Sequence, residues 1–304
     1  MKSIKLLFIV AALLIFAATF ASGQKPRPKA KLVQTQKPIV FAVISDGKTL
    51  EPIAFIDKGE LASTESSGVD AKVTAAFART YYKPKSTYNL VFGGVNSGTI
   101  SVNSSDPKAE CTSHMAAVTT VAPKTKLKGL VMGLATNDKS IKSGTSYRRM
   151  PTPVERTEIT SLVRAEFTKQ KMDGPIDYHN LTAIDVDRDG TAELVGSFFI
   201  KSTPTVRGLL FFIANKQSSG KYSFGFSEFK TYDEADMMGG SDISVVDTGI
   251  YNELLLDSME INGDNENEIF TYVKTLEGAN FYVYKREGEK WSRAFEGSNY
   301  HCAF

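Results

Sequence analysis

The chain is short of the side chains on which most familiar enzyme chemistry rests. It has two cysteines and three histidines, His114, His179 and His301, in 304 residues. Neither Cys111 nor Cys302 has a Cys-x-x-Cys partner, which argues against an ordinary zinc knuckle. There is no Gly-x-Ser-x-Gly elbow, no His-Glu-x-x-His and no Gly-rich phosphate loop, so the common hydrolase, zincin and nucleotide-binding motifs are all missing. Beyond residue 23 no apolar run is long enough to span a bilayer. Nucleic-acid recognition motifs are missing too.

What the chain does have begins with an address. In residues 1–23, MKSIKLLFIVAALLIFAATFASG, Lys2 and Lys5 precede an unbroken apolar core from Leu6 to Phe16, and small residues follow as a cleavage site. This predicts a secretory signal peptide, with an uncleaved anchor as the alternative. No Cys follows the cleavage region to carry a lipid. The expected location is extracytoplasmic, secreted or periplasmic, with no stable membrane span after cleavage.

Cleavage removes Lys2 and Lys5, so the formal charge of +2 falls to about zero. That neutrality hides an asymmetry. Residues 24–174 hold 23 Lys/Arg against 13 Asp/Glu, a balance of +10, and residues 175–304 hold 11 against 21, a balance of −10. The halves are expected to attract each other, or the acidic half to hold cations; nucleic acid is not an expected partner.

In an oxidising compartment Cys111 and Cys302 can pair and tie the C-terminal segment to the first half, with two buried thiols as the alternative. His114 follows Cys111 by three residues and His301 directly precedes Cys302, so these four could converge as a zinc site.

Along the chain, 24–38 reads as a basic flexible leader, 39–150 as a mixed β-rich domain, 151–174 as a helix and connector, and 175–304 as an acidic β-domain. IVFAVI (39–44) and PIAFI (52–56) predict strands. Residues 70–82 predict a short helix with Val73, Ala76, Phe77 and Tyr81 on its apolar face, and 87–102 a hairpin. A further strand pair is expected at 114–122 and 127–135, and a linker at 138–150. TPVERTEITSLVRAEFTKQ (152–170) predicts the strongest helix. Thr152 would be its N-cap, Pro153 its first residue and Glu155 the capping-box partner, with Ile159, Leu162, Val163 and Phe167 as the stripe. Seven strand-like runs follow Pro175, and YDEADMMGGSD (232–242) reads as a mobile loop.

The distinctive chemistry lies in DVDRDGTAEL (185–194). Asp185, Asp187 and Asp189 alternate, and Gly190 and Glu193 follow. EINGDNENEI (260–269) repeats the pattern 75 residues later, with Glu260, Asn262, Asp264, Glu266 and Glu268 at the positions of Asp185, Asp187, Asp189, Thr191 and Glu193. Like charges about 4 Å apart repel by roughly 4 kcal/mol at a protein surface, so a cation is the natural balance. In a loop wound around an ion, positions 1, 3 and 5 can point inward, position 7 offers its carbonyl and position 9 closes the shell. Gly190 or Asn265 supplies the left-handed turn. Oxygen ligands on a flexible loop suit calcium. An EF-hand would need Glu at position 12, where this chain has Gly196 and Thr271.

The pattern resembles the calcium loops of FG-GAP and VCBS repeats, the integrin-like β-propeller family, whose D-x-D-x-D-G-x-x-D/E-L/I loops join adjacent strands of a blade. The resemblance covers two stretches of about ten residues and their β-rich flanks. It implies calcium in the first loop and weaker or no binding in the second, where Glu260 and Asn265 replace Asp and Gly. A propeller needs at least four blades, and some 130 residues supply about two. The expected fold is therefore α+β and predominantly antiparallel β: a small mixed N-terminal domain, one amphipathic helix, then about two blade-like units packed on it. The expected function is an exported, calcium-stabilised, non-catalytic binding protein for a protein or carbohydrate ligand. The alternative is an extracytoplasmic hydrolase working through carboxylates outside the loops, whose site one sequence does not reveal.

Overall fold

In IVFAVI every side chain is apolar, and strand β1 (Ile39–Ile44) is buried at all six positions. A strand with no polar face needs cover on both sides, and alternate residues separate accordingly. Ile39, Phe41 and Val43 join one apolar cluster with the first helix, whereas Val40, Ala42 and Ile44 join another with the last sheet of the chain. These assignments come from a computed structural model, which describes residues 36–66, 70–238 and 240–302. The expected signal peptide and residues 24–35 of the leader lie outside the described residues. Among those described, no helix is long and apolar enough to cross a membrane.

The first half is a closed barrel. Its strands are β1, β2 (Thr49–Asp57), β4 (Thr87–Val91), β5 (Asn96–Ser105), β6 (Ala116–Val121) and β7 (Gly133–Thr136), with β3 (Glu60–Ser63) attached to β2 outside the ring. The order β1-β7-β4-β5-β6-β2 closes because β2 also pairs with β1, and every pairing is antiparallel. Closure leaves these six strands no open edge. It also corrects one expectation. Strands form at Ala116–Val121 and Gly133–Thr136, but they do not pair with each other: β7 lies between β1 and β4, and β6 between β5 and β2. As a hairpin they would leave the ring open.

Helix α1 (Ala71–Tyr81) starts at Asp70, whose carboxylate accepts from the amides of Lys72 and Val73. Its buried face is Thr74, Phe77, Ala78 and Tyr81. Val73 is half-buried and Ala76 exposed, a shift of the face by about one residue, because Tyr81, Tyr82 and Phe77 all converge on Phe41.

The segment 138–150 is held in place. Asn96 donates to the Lys142 carbonyl, and β8 (Arg148–Arg149) pairs with β9 (Ile176–Ile184). Between them α2 (Pro153–Lys169) has the anticipated reciprocal cap: Glu155 N–H donates to Thr152 Oγ1 at 3.2 Å and Thr152 N–H to Glu155 Oε2 at 2.8 Å. Ile159, Val163 and Phe167 are buried, with Leu162 partly so.

Two antiparallel meanders follow. The first runs β9, β10 (Glu193–Thr203), β11 (Val206–Lys216) and β12 (Tyr222–Asp233), with β8 at its edge. The second runs β13 (Glu253–Met259), β14 (Glu268–Lys274), β15 (Gly278–Glu287) and β16 (Lys290–Tyr300). There are eight strands where seven runs stood out. KWSRAFEGSNY carries too much charge and glycine to read as a strand, and only Trp291 and Asn299 are buried in it. Residues 234–236 of the acidic segment form a short 3-10 turn, with Asp233 and Asp236 capping each other.

The layers stack by their apolar faces. Helix α2 covers one face of the first meander (Leu181, Leu194, Phe198, Phe212). Its other face (Ile184, Val195, Phe211, Ile213) meets Leu255, Ile269, Tyr284 and Trp291 of the second. The reverse of the second (Leu254, Leu256, Phe270, Phe281) packs on the barrel. Helix α2 thus meets the first meander, and the barrel takes up the second. A polar joint supports that contact: Arg148 Nη1 donates to Asp257 Oδ2 at 2.9 Å and to the carbonyls of Met132 and Leu256, while Gly94 N–H donates to Asp257 Oδ1.

Candidate metal centres

The acidic stretches are the β9–β10 and β13–β14 connections, and in each the ninth residue opens the second strand. At positions 3, 5 and 9 their hydrogen bonds to backbone amides correspond. In the first loop the position 3 carboxylate, Asp187, accepts from Asp189 N–H at 3.2 Å. Asp189 accepts from Thr191 N–H at 2.6 Å, and Glu193 reaches back to Val186 N–H at 3.3 Å. In the second, Asn262 accepts from Asp264 N–H at 2.9 Å, Asp264 from Glu266 N–H at 2.9 Å, and Glu268 reaches back to Ile261 N–H at 3.2 Å. The loops also touch, through Asn267 N–H donating to the Val186 carbonyl at 2.9 Å.

Both backbones turn left-handed at position 6, Gly190 at φ 87° and Asn265 at 71°, and also at position 4, Arg188 at 63° and Gly263 at 85°. Each copy therefore spends its glycine on one of two strained positions and lets a side-chain residue hold the other. The sequence comparison saw one such position, because the two glycines are out of register.

Position 1 separates the copies. Asp185 Oδ2 accepts from Gly190 N–H across the loop at 3.0 Å, whereas the longer Glu260 accepts from Asn262 and Gly263 on its own side. In both, the other carboxylate oxygen, Asp185 Oδ1 or Glu260 Oε2, is buried with no hydrogen-bond partner. Asp185, Asp187 and Asp189 bring ligand atoms within 4.8 Å of one another; among the described residues the carboxylates of the second loop form no such cluster. Thr191 takes part through its amide, and Glu266 turns away to an arginine.

That arginine, Arg286 of β15, escaped the sequence reading because it lies 93 to 99 residues from its partners in the first loop. Its guanidinium pairs with Asp187, with Glu193 at 3.0 Å and with Glu266 at 2.9 Å, so one cation serves both loops. Neighbouring Lys285 stands 3.5 Å from Asp264. The charges respond. Burial pushes Asp187 up, but Arg286 outweighs it and holds the carboxyl below its usual range. Burial raises Asp185, with Asp187 and Asp189 adding repulsion. Glu193 is pushed to about 7 and Glu268 to about 8, chiefly by burial.

Outside the loops, Cys111 and Cys302 are joined by a disulfide, S–S 1.99 Å. No thiolate remains for a four-residue Cys/His zinc site, which corrects that expectation. Two carboxylates outside the loops, Glu253 and Glu228, share a pocket. Glu253 is buried, accepts from Thr271 Oγ1 and Tyr284 Oη at 2.7 Å each, and is pushed to about 7 by burial. The pocket that the two glutamates line measures about 20 Å³, too small for a sugar ring. A cavity of about 480 Å³ lies at the seam of barrel and second meander, lined by Met115, Leu130, Met132, Leu254, Tyr272 and His301 among others.

No family model, curated protein or solved structure matches this chain.

Proposed function

We propose that this is an exported, non-catalytic binding protein in which calcium stiffens strand-connecting loops, the first more strongly than the second. The observation that carries the reading is the pair of loops: two meanders present one loop conformation in one register, with a buried, unpartnered carboxylate oxygen at position 1 of each. An orphaned oxygen of that kind is costly unless something positive reaches it. The donor set fits calcium, being all oxygen and carried on a loop. Asp185, Asp187 and Asp189 would hold the ion, with Thr191 and Glu193 completing the set as the resemblance implies. Calcium there supplies charge and rigidity. Glu260, Asn262, Asp264, Glu266 and Glu268 form the weaker site, since among the described residues its carboxylates do not converge as the three aspartates of the first loop do.

The meanders are then two blade-like units of the FG-GAP/VCBS kind, completed by the barrel instead of by further blades. The disulfide supports an extracytoplasmic address, where such bonds persist. The pocket beside Glu228 and Glu253, about 20 Å³, leaves no room for a substrate at that pair of carboxylates.

The test is a thermal melt of the mature protein in EDTA, in millimolar calcium and in magnesium. Calcium at about 100 times its dissociation constant adds ~2.7 kcal/mol to a folded state that alone binds it. A calcium-selective rise in Tm, lost in Asp187→Ala, is expected; equal melting in all three conditions removes the reading.

A further inference from the structure

A second constellation, remote in kind from the acidic loops, lies beside the disulfide. Glu51 of β2, His114 before β6 and His301 after β16 converge from three distant parts of the chain, all of them buried: 0 %, 0 % and 7 % exposed. Each offers one ligand atom within 4.8 Å of the others. The geometry points to a binding site for one divalent transition-metal ion of the zinc class, held by Glu51, His114 Nε2 and His301 Nε2. This inference does not rest on the calcium reading.

Three observations carry it. The first is spacing. His114 Nε2 and His301 Nε2 lie 3.3 and 2.9 Å from Glu51 Oε1. Ligands bonded to zinc at ~2.0–2.1 Å stand roughly 2.9 Å apart at a right angle and about 3.4 Å apart in a tetrahedron. The second is an imbalance between the two carboxylate oxygens. Oε1 takes both imidazoles and Asn299 Nδ2 at 3.0 Å, while Oε2 is buried with no partner. Hydrogen bonding alone would place three donors on one oxygen and none on the other. The third is charge. Among the described residues the ion-pair partners of Glu51 are these two imidazoles, with no Lys or Arg. A buried carboxylate needs a positive partner. Two imidazoles and a carboxylate form a three-ligand set that leaves a coordination position open.

The fold holds the ligands in place. Cys111 stands three residues before His114 and Cys302 one after His301, so the disulfide ties the two imidazole-bearing segments together across 191 residues. Asn299 Nδ2 also donates to the Pro52 carbonyl, and His301 N–H donates to the Glu277 carbonyl at 2.7 Å. His301, Cys111 and Cys302 all line the 480 Å³ cavity, which gives the ion a route in and places any exchangeable ligand there.

The experiment is a competition titration of the chelator-stripped mature protein with Zn2+ against a chromophoric chelator, in excess Ca2+ so that the acidic loops do not contribute. One equivalent is expected. His114→Ala and His301→Ala should each weaken binding by more than the roughly 10–100-fold that loss of a hydrogen-bond partner behind a ligand costs. Asp187→Ala should leave it unchanged. Absence of zinc binding, or binding that survives both histidine substitutions, overturns the assignment. Because a variant in this buried cluster can fail to fold, X-ray absorption at the zinc edge of the loaded wild-type protein provides a second reading. Two imidazole nitrogens are expected, and none would overturn the site. The tether is tested by Cys111→Ser with Cys302→Ser, expected to weaken binding about tenfold or more; unchanged affinity would show that the disulfide does not assemble it.

Discussion

The two acidic loops share a backbone and differ in their side-chain charges, and the difference shows what each is free to do. In the first, three aspartates converge, and Asp187 and Glu193 are drawn to Arg286. In the second, Asn262 dilutes the charge, and Asp264 and Glu266 are taken by Lys285 and Arg286 of one strand. Its Asn262 Nδ2 also donates to Glu268 Oε1 at 2.7 Å, a neutral brace. Cations of β15 pair with two acids in each loop. What separates the loops is that the ligand atoms of Asp185, Asp187 and Asp189 stay within 4.8 Å of one another. A shared conformation is therefore weaker testimony to a shared ligand than the convergence of the carboxylates.

The sharpest way to break this comparison is to remove the cation common to both loops. Arg286→Met leaves Glu193, Asp187 and Glu266 without their countercharge. Loss of the shared member of a partly buried charge network costs up to about 3 kcal/mol, read as a lower urea midpoint in EDTA. Calcium should restore part of the loss through the first loop, and an equal loss in calcium and EDTA would refute the division of roles.

A buried acid outside the loops gives the next largest effect. Glu253 stands seven residues before Glu260, where the first meander has the exposed Tyr178. Its folded-state pKa of about 7 lies above the 4.5 of the free side chain. The folded protein therefore holds this proton more tightly than the unfolded chain does. Its stabilising contribution is complete below about pH 4.5 and is lost as pH rises through 7, by at most about 3 kcal/mol. Arg293, 3.6 Å from Glu253, and Glu228 are the charges facing it. Urea titrations of Glu253→Gln between pH 4.5 and 8 should show that slope flattened. The wild-type slope persisting in the variant would assign it to other groups.

Asp185→Asn and Glu260→Gln compare position 1 directly. In the first loop the substitution should abolish most of the ~2.7 kcal/mol gained in saturating calcium, and in the second it should change the calcium response little. Equal losses, measured as Tm shifts, would make the loops equivalent sites.

The smallest effect concerns the backbone. A methyl group at Gly190 or Gly263 would meet nothing within 4 Å, so only their positive φ resists substitution. Gly190→Ala and Gly263→Ala should each cost about 1 kcal/mol, measured by denaturant titration in EDTA. A marked inequality would mean that the two turns are not the same structure.

Much of the architecture was visible in the residues. The β-rich character, the antiparallel meanders after Pro175 and the cap of α2 follow from alternation, turn residues and the Thr-Pro-x-Glu signature, all of which act over a few positions. The 75-residue offset exposed the two loops. Strand β16 escaped because its polar face dominates its composition. The barrel escaped because closure depends on β7 crossing between β1 and β4, and no local pattern records a partner. The same limit hid Arg286, which acts on carboxylates far along the chain.

The residues alone determined the local backbone: which segments alternate as strands, where α2 starts, and that two nine-residue turns would wind alike, since φ preferences and hydrogen bonds to neighbouring amides are settled within a few residues. Tertiary structure decided everything that depends on charge and proximity. It set which carboxylates find an arginine, that Cys111 meets Cys302, and that Glu51, His114 and His301 come to one buried point. Burial and ion pairing are properties of what packs alongside a residue, and here the neighbours that matter come from distant strands.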